Sequence, residues 1–110
     1  MSDELRKYLT DILFAVSEIE SFIGEKKNFK RFRKSSLIRA AVERKIEIIG
    51  EAMNNALQLD ANLPVSNARR IVNTRNKIIH GYDDVDEVML WEIVVKHLPI
   101  LQMEVQSLLA

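Results

Sequence analysis

Between Arg75 and Tyr82 the chain reads Arg-Asn-Lys-Ile-Ile-His-Gly-Tyr, a run that gathers the side chains phosphate chemistry calls for. Arg75 is a permanent cation with a forked set of donors. Asn76 can orient a phosphate or an imidazole through its amide. Lys77 adds a second positive charge, and His80 is the one obvious acid–base group near it. Cleaving RNA without a metal requires the substrate's own 2′-hydroxyl as nucleophile, a group that moves protons, and a cation facing the charge that builds on the phosphorane. His80 and Arg75 suit the last two roles. By spacing alone the signal is weak, because an Arg and a His five apart occur often by chance.

Geometry complicates the pairing. Five residues on a regular helix turn through about 140° beyond a full circle, so Arg75 and His80 do not aim at one atom, whereas Asn76 and His80, four apart, share a face. Two solutions fit: the helix unwinds at Gly81 and re-aims His80, or a second protomer supplies the complementary group across a two-fold axis. Arg75 also falls on the apolar stripe of its own helix, Ala68, Ile71, Val72 and Ile79. A partly buried guanidinium needs a carboxylate, a phosphate or a hydrated cleft. Glu43, Glu47 and Glu51 are the candidate carboxylates for a purely structural role.

The elements that must position this run follow from hydrophobic period. Leu5, Leu9, Ile12, Val16, Ile19 and Ile23 alternate four- and three-residue steps, predicting a helix over about residues 3 to 23 that Gly24 ends. After Ser35 or Ser36 as N-cap, Val42, Ile46, Ile49, Met53 and Leu57 predict a second helix. A further line on it, Ala41, Ile48 and Ala52, gives that helix two apolar faces, one for the core and one available to a partner subunit. Gly50 within it costs about 1 kcal/mol relative to alanine, which points to a close helix crossing. Ser66 or Asn67 is expected to cap a third helix ending at Gly81, with Asp83 and Asp84 continuing the turn. From about Asp86 a fourth helix carries Trp91, Val94, Leu98, Leu101, Val105 and Leu108, with a kink or break at Pro99. The fold class is all-α: an antiparallel four-helix bundle, five with a short extra turn, in one domain over residues 1–110.

Between the first two helices lies a second feature, six cations in the nine residues 26–34: Lys26, Lys27, Lys30, Arg31, Arg33 and Lys34. They are candidates for RNA binding through phosphate neutralisation. Phe29 and Phe32 either stack on unpaired bases or turn inward to anchor a helical turn.

Totals narrow the classes further. Of the 110 residues 47% are hydrophobic, only three are Gly and two Pro, and the formal charge is zero, so any nucleic-acid affinity is local rather than global. The absence of cysteine excludes disulfides and thiolate chemistry. With two histidines at unsuitable spacing a metal site is not expected, and no Gly-rich phosphate cradle predicts a nucleotide cofactor. No stretch has the length of a membrane span and the acidic start is unlike a secretion signal, so a cytoplasmic protein without membrane partners is expected. His97, beside Leu98 and Pro99, reads as structural or solvent-facing.

The Arg75–Tyr82 run resembles the Arg-x4-His-x-Tyr signature of HEPN-domain toxins, specifically the HepT-like group. The likeness covers nearly the whole chain, with supporting stretches from Glu43 to Ala52, from Trp91 to Val94 and at Leu98-Pro99. It implies a homodimeric helical bundle acting as a metal-independent RNase toxin of a type VII-like toxin–antitoxin pair, with Arg75 and His80 in a cleft at the dimer interface. Asn76 takes the polar position after the arginine, and Tyr82 the motif tyrosine, to which a small nucleotidyltransferase antitoxin adds AMP. No cofactor is implied, and the basic segment 26–34 is not part of the signature. The alternative is a non-catalytic helical dimer that regulates such a nucleotidyltransferase, or binds nucleotide or RNA without cutting.

Overall fold

The computed structural model describes residues 1–82 and 85–110, all helix and connecting turns. Helix α1 (Asp3–Ile23) begins where the Ser2 hydroxyl accepts from the Leu5 amide at 3.1 Å, satisfying one of the donors a helix start leaves open. The six periodic residues expected to face inward are all buried. Gly24 ends the helix at φ 80°, in a region a side chain rarely tolerates.

The basic segment forms a short helix, α2 (Phe29–Lys34), capped by Asn28 Oδ1 on the Arg31 amide at 3.1 Å. Both phenylalanines turn inward. Their ring centroids lie 5.7 Å (Phe29) and 5.1 Å (Phe32) from Trp91, and Phe32 is fully buried. The stacking alternative is thereby lost for Phe32, whose ring is needed in the core. Three packed aromatic faces bury far more area than a six-residue helix could hold through its backbone alone.

Helix α3 (Ser36–Leu59) starts at Ser35, whose hydroxyl accepts from the Ile38 amide at 3.1 Å. It is the centre of the bundle, packing against α1 on one side and against α4 (Ala68–His80) on another. The second apolar line meets α1 in part: Ala52 is buried, and Ile48 packs on the core beside Tyr8 and Ala15 of α1. Ala41 and Ile48 stay partly exposed, so α1 and α4 cover this second face only in part. Lys45 and Glu18 tie α1 to α3 at 2.9 Å.

The start of α4 departs from the expected cap. Asn67 stands at the N-cap in the left-handed region, φ 61°, and makes no side-chain capping bond. The amide and hydroxyl of Ser66 instead donate to the Glu104 carboxylate at 2.9 and 2.7 Å, fastening the loop to the final helix. The end of α4 is regular. Gly81, φ 66°, sends its amide to the Ile78 carbonyl at 3.2 Å, and Tyr82 sends its amide to the Lys77 carbonyl at 3.1 Å, the paired bonds of a Schellman motif.

Asp86 Oδ1 caps α5 (Glu87–Glu92) by accepting from the Met89 amide at 2.9 Å. The interruption expected at Pro99 takes a specific form: a π-helical turn over Ile93–His97 that passes directly into α6 (Leu98–Leu109), with the Leu98 amide reaching back to Ile93. Proline lacks the amide its helix needs and crowds the carbonyl four residues earlier, and the widened turn accommodates both. Leu98, Leu101 and Val105 are buried against α1 in the single core cluster. Asp83 and Asp84, assigned to the turn after Gly81, lie outside the described residues.

Candidate functional site

Gly50 decides where Arg75 sits. A Cβ at position 50 would overlap the Cβ of Arg75 and stand 3.0 Å from both its Cγ and the Ile71 carbonyl oxygen. The close crossing expected from this glycine is thus the crossing of α3 over α4 at the motif arginine itself. Arg75 is half-buried there, and its Nε is buried with no hydrogen-bond partner among the described residues. Its Nη1 donates to Asn76 Oδ1 at 3.1 Å. The carboxylate explanation fails: Glu47 pairs with Arg44 at 3.0 Å, and among the described residues no carboxylate pairs with Arg75. A buried guanidinium nitrogen left without an acceptor is costly in a structural role, and an anion can be met only by the outer nitrogens of the same group.

His80 lies on the last turn of α4, exposed, with its ring centroid 5.8 Å from that of Tyr82. Since α4 keeps its helical course through His80 and ends in a regular cap, the helix does not unwind to re-aim the imidazole. Arg75 and Asn76 are in contact, as are the His80 and Tyr82 rings, but Arg75 and His80 point to different sides of α4, with Asn76 on the His80 side. Ile79, expected on the buried stripe, is 48% exposed. The crossing at Gly50 holds α4 at Ile71 and Arg75.

Of the six basic candidates, Arg31 has a structural task, donating to the Ile23 carbonyl at 3.0 Å and so satisfying the end of α1. Lys30 and Lys34 border a shallow concavity with Arg31, and Lys26, Lys27 and Arg33 are also exposed. The Phe29–Phe32–Trp91 cluster fixes this cationic helix to α5, the first helix after the motif.

A groove that the sequence did not disclose brings the candidate Lys77 together with residues outside the motif. Arg70, Asn73 and Lys77 form one wall of a groove of about 480 Å³, facing Met89 and Glu92 of α5 and His97 of the π-helical turn. Arg70 Nη1 lies 2.9 Å from His97 Nε2, and Glu92 Oε1 lies 3.9 Å from the same nitrogen. The three-four spacing of Arg70, Asn73 and Lys77 was visible as a polar stripe. Its pairing with a histidine 27 positions later was not.

Burial first, then the Arg70 guanidinium and Lys96, lower the His97 pKa from its usual 6.5, against an upward pull from Glu92. The neutral ring accepts from Arg70. A depressed histidine pKa means the unfolded chain binds the extra proton first, so the contribution to stability is present above about pH 6.5 and is lost as pH falls through the folded value. Chemical denaturation is expected to show a midpoint that declines on acidification below that pH, and His97→Gln is expected to flatten the decline. An unchanged slope in the variant contradicts the assignment.

Among the described residues no helix is long and apolar enough to cross a membrane. The family model described as "Ribonuclease HepT-like" matches residues 12–108. The chain is 36% identical to "Probable ribonuclease HepT" of Thermococcus cleftensis and 32% identical to "Putative RNase MJ1380" of Methanocaldococcus jannaschii, in each case over 94% of both chains. It is 33% identical to "Putative RNase TTE0752" of Caldanaerobacter subterraneus, over 94% of this chain and 93% of that protein. No solved structure matches. With an all-helical bundle, a motif helix carrying Arg75 and His80, and a family match across almost its full length, the chain belongs to the HepT-like ribonucleases of the HEPN superfamily.

Proposed function

We propose that this chain is a metal-independent endoribonuclease toxin, working as a homodimer whose protomers share each active cleft, and silenced when a nucleotidyltransferase antitoxin attaches AMP to Tyr82. The observation that carries the reading is a regular α4 that holds Arg75 at the Gly50 crossing and His80 at its exposed end, on different sides. Dimerisation across a two-fold axis near the end of α4 brings the Arg75 of one protomer to the His80 of the other. Exposed Ile79, between the two motif residues, is the apolar contact such an interface would cover.

In that cleft the His80 imidazole takes the proton of the RNA 2′-hydroxyl, the 2′-oxygen bonds to phosphorus, and the bond to the 5′-oxygen breaks, the leaving oxygen taking a proton from water. The product ends in a 2′,3′-cyclic phosphate. The outer nitrogens of Arg75 face the charge gained by the phosphorane, and Asn76 holds the guanidinium in place. Lys77 and the exposed cations Lys26, Lys27, Lys30, Arg33 and Lys34 grip flanking phosphates, with Arg31 contributing from the same helix.

Tyr82 is 54% exposed and its ring lies against His80. AMP transferred from ATP to the phenol oxygen, with release of pyrophosphate, places a phosphodiester beside the imidazole. It occupies the cleft and repels RNA.

RNA incubated with purified chain in excess EDTA is expected to be cut to cyclic-phosphate ends. Intact RNA with folded dimer overturns the reading in favour of a non-catalytic dimer that regulates the nucleotidyltransferase. Co-expression with that partner is expected to add AMP-sized mass, and Tyr82→Phe to remove the addition while leaving the RNase active and insensitive to the partner. AMP mapped to another residue contradicts the switch.

A further inference from the structure

The groove between α4 and the π-helical turn lies on the same side of α4 as His80. Lys77 is about 4.5 Å and Arg70 about 15 Å back along the helix axis from it, at 1.5 Å per residue. Its two walls differ in chemistry. Arg70, Asn73 and Lys77 present cationic and amide donors from α4, while Glu92 offers an exposed carboxylate above the apolar surface of Met89 and Ile93. Two further features mark it as built. His97, its side chain only 12% exposed, engages one Arg70 nitrogen and so fixes the guanidinium while leaving other donors for a ligand. The π-helical turn, a device that often marks functional positions, supplies Ile93 and His97 to the lining.

Cations on one wall, an apolar floor and an exposed carboxylate on the other match the parts of a nucleotide. A phosphate suits Arg70 and Lys77, and a base can lie over Met89 and Ile93. A carboxylate accepts only, so it favours the base whose pairing edge presents two adjacent N–H donors, which is guanine. Uracil offers one donor between two carbonyls, and adenine and cytosine each set an acceptor beside the donor.

We propose that this groove is a guanine-selective RNA subsite flanking the cleavage position, with Arg70 and Lys77 holding its phosphate, Glu92 reading its base and His97 positioning Arg70. The inference rests on the RNase reading above for its biological meaning, but its test does not require cleavage.

Guanosine 5′-monophosphate, uridine 5′-monophosphate and a short 2′-O-methyl RNA containing guanine, which cannot be cut, are titrated into the full chain. Methyl NMR signals of Met89 and Ile93 report the groove. The guanine nucleotide is expected to shift these signals and to bind at least several-fold more tightly than the uridine nucleotide. Arg70→Gln is expected to weaken both by about tenfold, the loss of one charge-assisted contact, and Glu92→Gln to abolish the preference while retaining the phosphate contribution. The 2′-O-methyl RNA is expected to bind more tightly than the free nucleotide, through contacts continuing towards His80.

Shifts that map away from the groove, an unchanged affinity in Arg70→Gln, or a guanine preference that survives Glu92→Gln overturn the proposal. Equal affinity for free nucleotide and RNA overturns its assignment as an RNA subsite. Groove binding together with intact RNA in the cleavage assay would sink the RNase reading alone, and RNA cleavage without groove binding would sink the subsite alone.

Discussion

Replacing His80 by alanine is expected to slow RNA cleavage by about 10²- to 10⁴-fold, the range attributable to one positioned proton-transfer group. Arg75→Ala is expected to cost about 10²- to 10³-fold, as removal of a preorganised partner for transition-state charge does. The two losses have different structural settings. His80 is exposed at the end of a completed helix, so its removal is expected to leave the unfolding midpoint unchanged. Arg75 is half-buried with an unpartnered Nε at a helix crossing, and its truncation relieves that buried group even as it opens space beside Gly50. The Arg75 variant is therefore expected to retain its fold, and Arg75→Lys keeps a charge but loses the fork that binds phosphate. Cleavage measured beside thermal unfolding separates these effects. A folded His80→Ala variant that still cuts at the wild-type rate contradicts the catalytic role.

The second large effect lies away from the chemistry. Gly50→Ala adds one methyl group where the Arg75 Cβ already stands and where the Ile71 carbonyl is 3.0 Å away. The obstacle is backbone and the root of a side chain, neither of which can swing aside, so α3 and α4 must move apart. Overpacking of this kind costs about 1–3 kcal/mol, outweighing the roughly 1 kcal/mol gained by removing glycine from a helix interior. The shift also moves the guanidinium, so activity is expected to fall further than stability alone explains. Denaturation and RNA cleavage of the one variant test both parts. A more stable, fully active Gly50→Ala protein contradicts the account of the crossing.

Much of this architecture was legible because helical burial leaves a local trace. The spacing of Leu5 through Ile23 and of Val42 through Leu57 survives as buried stripes, Ser35 and Asp86 cap the helices their positions suggest, and Gly50 marks the crossing a glycine in a helix interior implies. The inward turn of Phe29 and Phe32 was one of two readings their three-residue spacing allowed, and Trp91, almost sixty positions on, selects it. What the sequence withheld depends on contacts between distant segments. Ser66 looks like an N-cap until Glu104 claims it. Ile79 fits the apolar stripe, yet it stands exposed at the end of α4. Pro99 announces an interruption without saying that the chain widens into a π-helical turn ahead of it, and no local pattern links His97 to Arg70.

The same limit applies to the motif. Its residue types pointed to phosphate chemistry, but the angle between Arg75 and His80 left open how they could act together. A regular α4 removes the unwinding solution, and the proposed mechanism therefore rests on the other one, a cleft shared between protomers.

Mixing the two inactive variants tests that sharing directly. In a hybrid of Arg75→Ala and His80→Ala protomers, one cleft combines the intact Arg75 of one chain with the intact His80 of the other, and the second cleft has neither. With free exchange half the dimers are hybrids, so about one quarter of wild-type activity is expected to return. Hybrids that form, as seen by mass spectrometry, yet restore no cleavage would contradict a cleft in which Arg75 and His80 come from different protomers.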